Sequence, residues 1–147
     1  MSASKLYRTI VRVLELRPER FPRSSSRGRG SRNSLESNFE RIFGFDPSTP
    51  TEDVAGTIPQ ALFLMNSPII TQAIRSKGDS MLARLLGSYE DDRLVFDELY
   101  LKVHSRRPSS SEWEIFSKYR RSVPDRGEAF EDLLWSLVNS TEFISER

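Results

Sequence analysis

Residues 126–147 read "RGEAFEDLLWSLVNSTEFISER", and this stretch carries the clearest helical pattern in the chain. Its apolar residues recur at the i, i+3, i+4, i+7 and i+8 spacing that places side chains on one face of a helix. They are Phe130, Leu133, Leu134, Leu137 and Val138. A stripe of this kind is buried against other elements, so the stretch predicts a helix that packs in a core.

The segments before it repeat the pattern with their own start and stop signals. "SSSEWEIFSKYRRS" (109–122) has a serine cap, early acids and late bases, and "EDDRLVFDELYLKVHS" (90–105) has acids at its start and a histidine at its end. Both arrangements complement the helix dipole. In residues 109–122, four side chains are available for packing: Trp113, Ile115, Phe116 and Tyr119. Further upstream, Asp79 or Ser80 can cap "MLARLLG", which ends at Gly87.

An apolar stretch, "IPQALFLMNSP" (58–68), predicts a central core helix because apolar residues surround nearly its whole circumference. Its Ser67-Pro68 end gives the cap and first residue of a further helix that Gly78 can end. "LESNFERIFGF" (35–45) predicts another helix. Since no segment alternates with period two, we expect an all-α fold, an irregular orthogonal bundle of about six to seven short helices.

The N-terminal part differs from this body in charge and composition. Residues 1–34 hold nine basic and two acidic residues, whereas 35–147 hold thirteen and nineteen. A helix ending at Pro18 precedes "RFPRSSSRGRGSRNS" (20–34), whose Arg, Ser and Gly content is typical of a flexible, disordered linker. We therefore predict a basic helix and linker over 1–34 and a helical domain over 35–147.

The composition excludes several kinds of chemistry. The chain has no cysteine and one histidine, which removes disulfides, thiol nucleophiles and most zinc or non-haem iron sites. No phosphate-binding glycine loop or nucleophile-elbow motif is present. His104 is open to two interpretations, a helix-end residue or a general base, and the first is favoured. We expect a non-enzymatic protein with no cofactor, no metal site and no transmembrane segment.

The basic linker is the feature with a general binding mechanism. Five arginines could neutralise phosphates of a nucleic acid or an anionic surface: Arg20, Arg23, Arg27, Arg29 and Arg32. A solvated linker is the alternative, and it is favoured because Phe21 is the only aromatic residue between these arginines.

Three motifs in order resemble a known family: "FERIFGFDPSTPTEDVAGTIPQALFLMNSPII", "LYLKVHSRRPSSSEW" and "EDLLWSLVNSTEFI". They are similar to the C-terminal region of planctomycete proteins of unknown function in which a cytochrome-c-like segment is often joined to uncharacterised domains. The matching positions with a structural role are Ile58, Pro59, Gln60, Leu62, Asn66, Pro68, Trp135, Asn139 and Phe143.

The resemblance implies a structural or protein-interaction module like the terminal part of those longer proteins, with an unknown protein partner. It attaches no catalytic role to the matching residues. Gln60, Asn66 and Asn139 are polar positions within apolar runs, and they either satisfy buried backbone groups or contact a ligand. The chain has no signal peptide, so a cytoplasmic location is the default expectation, whereas the longer relatives look exported.

Overall fold

The computed structural model describes residues 3–16 and 68–145 of the chain. These residues form seven helices and no strand, which confirms the predicted all-α bundle. The helices are α1 (Ala3–Val13), α2 (Pro68–Ile74), α3 (Met81–Ser88), α4 (Asp92–His104), α5 (Ser110–Ser122), α6 (Arg126–Val138) and α7 (Thr141–Ser145). The helices predicted over 35–45 and 58–66, and the linker over 20–34, lie outside the described residues.

Helix α6 is the centre of the bundle. It packs against α2, α3, α4, α5 and α7. Four members of its apolar stripe are buried: Phe130, Leu134, Leu137 and Val138. The fifth, Leu133, is partly buried and packs against the core. The stripe therefore determines the fold as the sequence predicts, because each neighbouring helix covers part of this one apolar surface.

An aromatic cluster joins α4, α5 and α6 at the core. The Phe116 ring lies 5.1 Å from that of Phe96 and 4.9 Å from that of Phe130, measured between centroids. The Trp113 ring meets Phe96 edge-on at 5.2 Å. Rings at these separations add attraction beyond the burial of apolar area, so the three helices are held at defined angles.

Short polar side chains start the helices. Ser80, Asp91, Ser109 and Asp125 each accept a hydrogen bond from a backbone N–H in the first turn that follows. At Ser109 the side chain of Glu112 also accepts from the cap backbone, which completes a capping box. Of the two predicted caps for α3, Ser80 is the one used. Gly87 lies inside α3 instead of ending it.

Helix α1 belongs to the same core as the rest. Ile10, Val13 and Leu14 are buried in the cluster formed by the other helices. The helix ends at Val13, before the predicted stop at Pro18, because Glu15 adopts a φ of 51° and the Leu16 N–H returns to the Val11 carbonyl. The predicted boundary between residues 34 and 35 lies outside the described residues. Helix α1 itself packs in the common core.

Glu15 also fixes α1 to two other helices. Its carboxylate accepts from Lys102 of α4 at 2.9 Å and from Arg84 of α3. These contacts lower the pKa of Glu15, with the hydrogen bond from Lys102 as the main favourable cause. Over the described part of the chain, no helix has both the length and the apolar character to span a membrane.

Candidate functional site

A group of interacting polar side chains lies where the end of α4 meets the start of α5 and the short helix α7. It consists of Tyr100, His104, Arg106, Glu112 and Glu142, and we call it the Arg106 cluster. Its members are separated by up to 42 positions in sequence between Tyr100 and Glu142. The fold therefore assembles the cluster, whereas the sequence pattern gives little sign of it.

A backbone turn after α4 places the central arginine. Ser105 has φ 56° and ψ 22°, a left-handed conformation that is uncommon for residues other than glycine, and its N–H donates to the Leu101 carbonyl. The turn reverses the chain so that the Arg106 guanidinium lies 5.3 Å from the centre of the Tyr100 ring. The cluster is thus built on a strained residue.

Arg106 binds two carboxylates at once. Its Nε donates to Glu142 Oε1 at 2.6 Å and its Nη2 to Oε2 at 2.8 Å. Its Nη1 and Nη2 donate to the two carboxylate oxygens of Glu112, at 3.0 and 2.7 Å. Bidentate charge-assisted pairs are among the stronger polar contacts in proteins, and here they link α7 to the start of α5.

His104 lies beneath this network. Its side chain is 2% exposed, its Nδ1 is 3.6 Å from Glu142 Oε1, and its ring centroid is 5.5 Å from that of Tyr100. Tyr100 lies one turn before His104 on the same face of α4, so its position follows from the sequence spacing. Glu142 contacts the histidine through tertiary packing, which no local spacing predicts.

The electrostatic interactions within the cluster keep its titratable groups in the charge states that they have at neutral pH. The hydrogen bonds from Arg106 lower the pKa of Glu112 to about 2 and also lower the pKa of Glu142. Burial raises the pKa of Tyr100 to about 12, and the pKa of Arg106 is raised by its two carboxylate partners. Each shift reinforces the charge state that the group already has at neutral pH, so all four groups are poorly suited to proton transfer. Arg106, Glu112 and Glu142 act as an ion-pair staple beside the neutral Tyr100.

The acidic residues at the start of α4 also have a structural role. Asp91 caps the helix, while Asp92 accepts from Arg120 Nε at 3.0 Å and from Arg126 Nε at 2.7 Å. Arg126 also donates to the carbonyls of the residues that follow α3, including Tyr89 at 2.7 Å. Within residues 3–16 and 68–145, no group of three or more acidic or histidine side chains is arranged to hold a metal ion.

The predicted site residues fall into two groups. The five linker arginines and Ile58, Pro59, Gln60, Leu62 and Asn66 lie outside the described residues. Pro68 begins α2, as the sequence predicts, and is exposed. Phe143 is buried, and Asn139 ends α6 with its Nδ2 donating to the Trp135 carbonyl at 2.8 Å. The Nδ2 of Asn139 thus satisfies a backbone carbonyl, whereas its Oδ1 is buried without a hydrogen-bond partner among the described residues.

Large apolar side chains are exposed on both α5 and α6. Ile115 is 70% exposed, Tyr119 40% and Trp135 38%. The sequence predicts that Ile115 and Tyr119 are available for packing. For Ile115 this is wrong, because it is turned about 100° around α5 from the buried Phe116, whereas Tyr119 lies one turn after Phe116 and contacts Asp132 of α6. We call the surface formed by Ile115, Tyr119 and Trp135 the α5–α6 face.

Ile115 and Trp135 lie at the same level along the α5–α6 helix pair. Only residues 123–125 separate α5 from α6, so the two packed helices run antiparallel. The Tyr119 hydroxyl donates to Asp132 across the pair. Ile115 is one turn before Tyr119 and Trp135 is one turn after Asp132, which places both at the same level of the hairpin.

Comparisons of the chain with protein-family models, with curated proteins and with solved structures found no match.

Proposed function

We propose that the chain is a non-enzymatic helical module that binds a protein partner through the α5–α6 face. The observation that carries the proposal is the exposure of Ile115, Tyr119 and Trp135 at neighbouring levels of the α5–α6 helix pair. A single exposed apolar residue is ordinary, whereas several large apolar side chains exposed on one helix pair are more typical of a protein-binding surface.

The composition of the face supports the same interpretation. Tryptophan and tyrosine are enriched at the centres of protein interfaces because they bury a large area and lose little conformational entropy. Side chains of both charges surround the apolar centre, including the exposed ion pair between Glu114 and Lys118, with a separation of 3.4 Å. Such a rim favours specificity and solubility before the partner binds.

The proposal agrees with the resemblance to the terminal part of longer planctomycete proteins of unknown function. Trp135 is one of the positions that carry the resemblance, and it also lies on the α5–α6 face. In this proposal the ion-pair staple of the Arg106 cluster has a structural role, because it holds α7 and the start of α5 in place.

The test is affinity capture with the full tagged chain from cells that express it natively. Ile115→Glu disrupts the α5–α6 face, and Leu94→Glu is the matched control because Leu94 is 47% exposed on α4. We expect proteins retained by the wild type and by the control to be lost with Ile115→Glu. Retention that is independent of Ile115 would contradict the proposal.

A second candidate function is binding of nucleic acid or an anionic surface through Arg20, Arg23, Arg27, Arg29 and Arg32, and the charge asymmetry of the chain favours it. Replacing all five by glutamine tests this function without removing α1, whose Ile10 and Val13 belong to the core. Binding to RNA or to anionic vesicles should then disappear and lose its dependence on salt. Unchanged binding would refute this candidate.

A further inference from the structure

His104 is the member of the Arg106 cluster whose charge changes most readily near neutral pH. An unperturbed imidazole titrates at about pH 6.5, whereas carboxylates, guanidinium groups and phenols keep one charge state there. It is the only histidine of the chain, and its side chain is 2% exposed. The protein groups around it therefore decide its protonation state more than solvent does.

The fixed charges next to His104 have a negative balance. Arg106 supplies one positive charge, and Glu112 and Glu142 supply two negative charges, which leaves −1. The nearest of these groups is Glu142, whose Oε1 lies 3.6 Å from the imidazole Nδ1. Tyr100, whose ring centroid is 5.5 Å away, is uncharged because burial raises its pKa to about 12. A proton on the imidazole would bring the cluster to neutrality.

The other charged residues near this end of α4 are engaged elsewhere or exposed. On α6, Glu131 accepts from the backbone after α2, and Asp132 accepts from the tyrosine of α5. The part of α6 after Asp132, which leads into α7, has no titratable residue. Lys102 of α4 donates to Glu15 of α1, and Arg107 is exposed. The two carboxylates and the guanidinium of the cluster are thus the charges that face the histidine.

The position of His104 in α4 also favours a positive charge. It is the last residue of the helix, where the final backbone carbonyls carry the negative end of the helix dipole. Burial acts in the opposite direction, because a charged imidazole loses its hydration. An adjacent carboxylate, a negative balance and a helix end together outweigh this cost, since each of them stabilises the same protonated form.

We propose that His104 is a pH-sensitive contact between α4 and α7: its protonated form pairs with Glu142 and strengthens the docking of α7, and loss of the proton weakens it. Helix α7 has five residues, too few to be stable alone. Its docking depends on the buried Phe143 and on the contacts of Glu142. A change in the charge opposite Glu142 therefore acts on an element with little other support.

The direction of the pH effect follows from the partner that the histidine gains on folding. A histidine paired with a carboxylate in the folded protein titrates above its unfolded value of about 6.5. Its contribution to stability is then fully present below about pH 6.5, and it is lost as the pH rises through the folded titration midpoint. Helix α7 should accordingly be docked more firmly in mildly acidic solution than in alkaline solution.

The first experiment is an NMR titration of the full chain, in which the single histidine gives one imidazole Hε1 resonance. We expect a wild-type midpoint above about 6.5, lowered by at least about one pH unit in Glu142→Gln and raised in Arg106→Gln, which removes the competing cation. Glu114→Gln is the matched control, because Glu114 is 69% exposed and pairs with Lys118. A wild-type midpoint at or below about 6.5, or one midpoint shared by all the variants, would overturn the inference.

The second experiment measures the docking of α7 by amide hydrogen exchange, corrected for the intrinsic effect of pH on the exchange rate. The Phe143 and Ile144 N–H groups donate to Ser140 and report on this helix. Their protection should be at least about threefold higher below the histidine midpoint than above it, in the wild type and in Glu114→Gln. The step should move with the midpoint in Arg106→Gln. Protection that does not change across the midpoint would overturn the inference, whatever binds the α5–α6 face.

Discussion

Replacing Arg106 by glutamine removes the common partner of Glu112 and Glu142, and its effect on stability should depend on pH. The carboxylate of Glu112 has a folded pKa of about 2 against an ordinary value of 4.5. A folded pKa below the unfolded one means that the group stabilises the fold above its unfolded pKa. That stabilisation is lost as the pH falls through the folded pKa. The window therefore runs from about pH 5 down to about pH 2.

The size of the effect follows from the geometry. At about 1.4 kcal/mol per pKa unit the shift at Glu112 sets an upper limit of about 3 kcal/mol. The side chains are partly exposed, 28% for Glu112 and 40% for Arg106, so solvent screening reduces the contribution to about 1–2 kcal/mol. With the second pair to Glu142, we expect Arg106→Gln to destabilise the fold by about 2 kcal/mol at pH 7.

The assay is urea denaturation of the wild type and Arg106→Gln between pH 7 and pH 2. The difference in unfolding free energy should shrink toward low pH to at most about half its value at pH 7, as the carboxylates become protonated. A remainder of about 0.5–1 kcal/mol is expected from the stacking of Arg106 on Tyr100. Arg107→Gln is the control, since Arg107 is exposed and has no salt-bridge partner among the described residues. A difference that stays constant with pH would refute the ion-pair account.

Three further substitutions test the packing and the backbone. Phe130→Ala should cost about 3–5 kcal/mol in a denaturant melt, because Phe130 is fully buried at the centre of the bundle, and a loss below about 1 kcal/mol would contradict that placement. Ser105→Gly should raise stability by about 0.5–1 kcal/mol, because glycine accepts the positive φ without strain; a loss would show that the serine side chain is needed. Gly127→Ala should destabilise the fold by about 1–3 kcal/mol, because the new Cβ would collide with Ser76 Oγ. Gly87→Ala, with open space around it, should instead stabilise the fold by about 0.5–1 kcal/mol. Equal effects of the two substitutions in a thermal melt would refute the contact between Gly127 and Ser76.

The helices could be predicted from the sequence because their signals are local. The stripe of α6 and the caps at Ser80 and Ser109 each depend on residues within one or two turns. Gly87 was expected to end α3, but a glycine in an otherwise helical run costs only about 1 kcal/mol, which the packing of α3 on α6 offsets.

The candidate site was less predictable because its contacts are not local. Arg106 and Glu142 are far apart in sequence, so no spacing rule connects them. On α5, Ile115 and Phe116 are adjacent apolar residues, and only one of them can face the core. A helix rotates by about 100° per residue, so the neighbouring helices decide which one is buried, and they bury Phe116.

The central claim, that the α5–α6 face is covered by a protein partner, can be tested at Trp135. The chain has two tryptophans, so Trp113→Phe with 5-fluorotryptophan labelling leaves a single fluorine signal on the face. Fluorine NMR of this protein would be compared in dilute buffer, in concentrated buffer and in a lysate of the native cells. The account predicts a shifted or broadened Trp135 resonance in the lysate relative to both buffers. A resonance identical under all three conditions would contradict it.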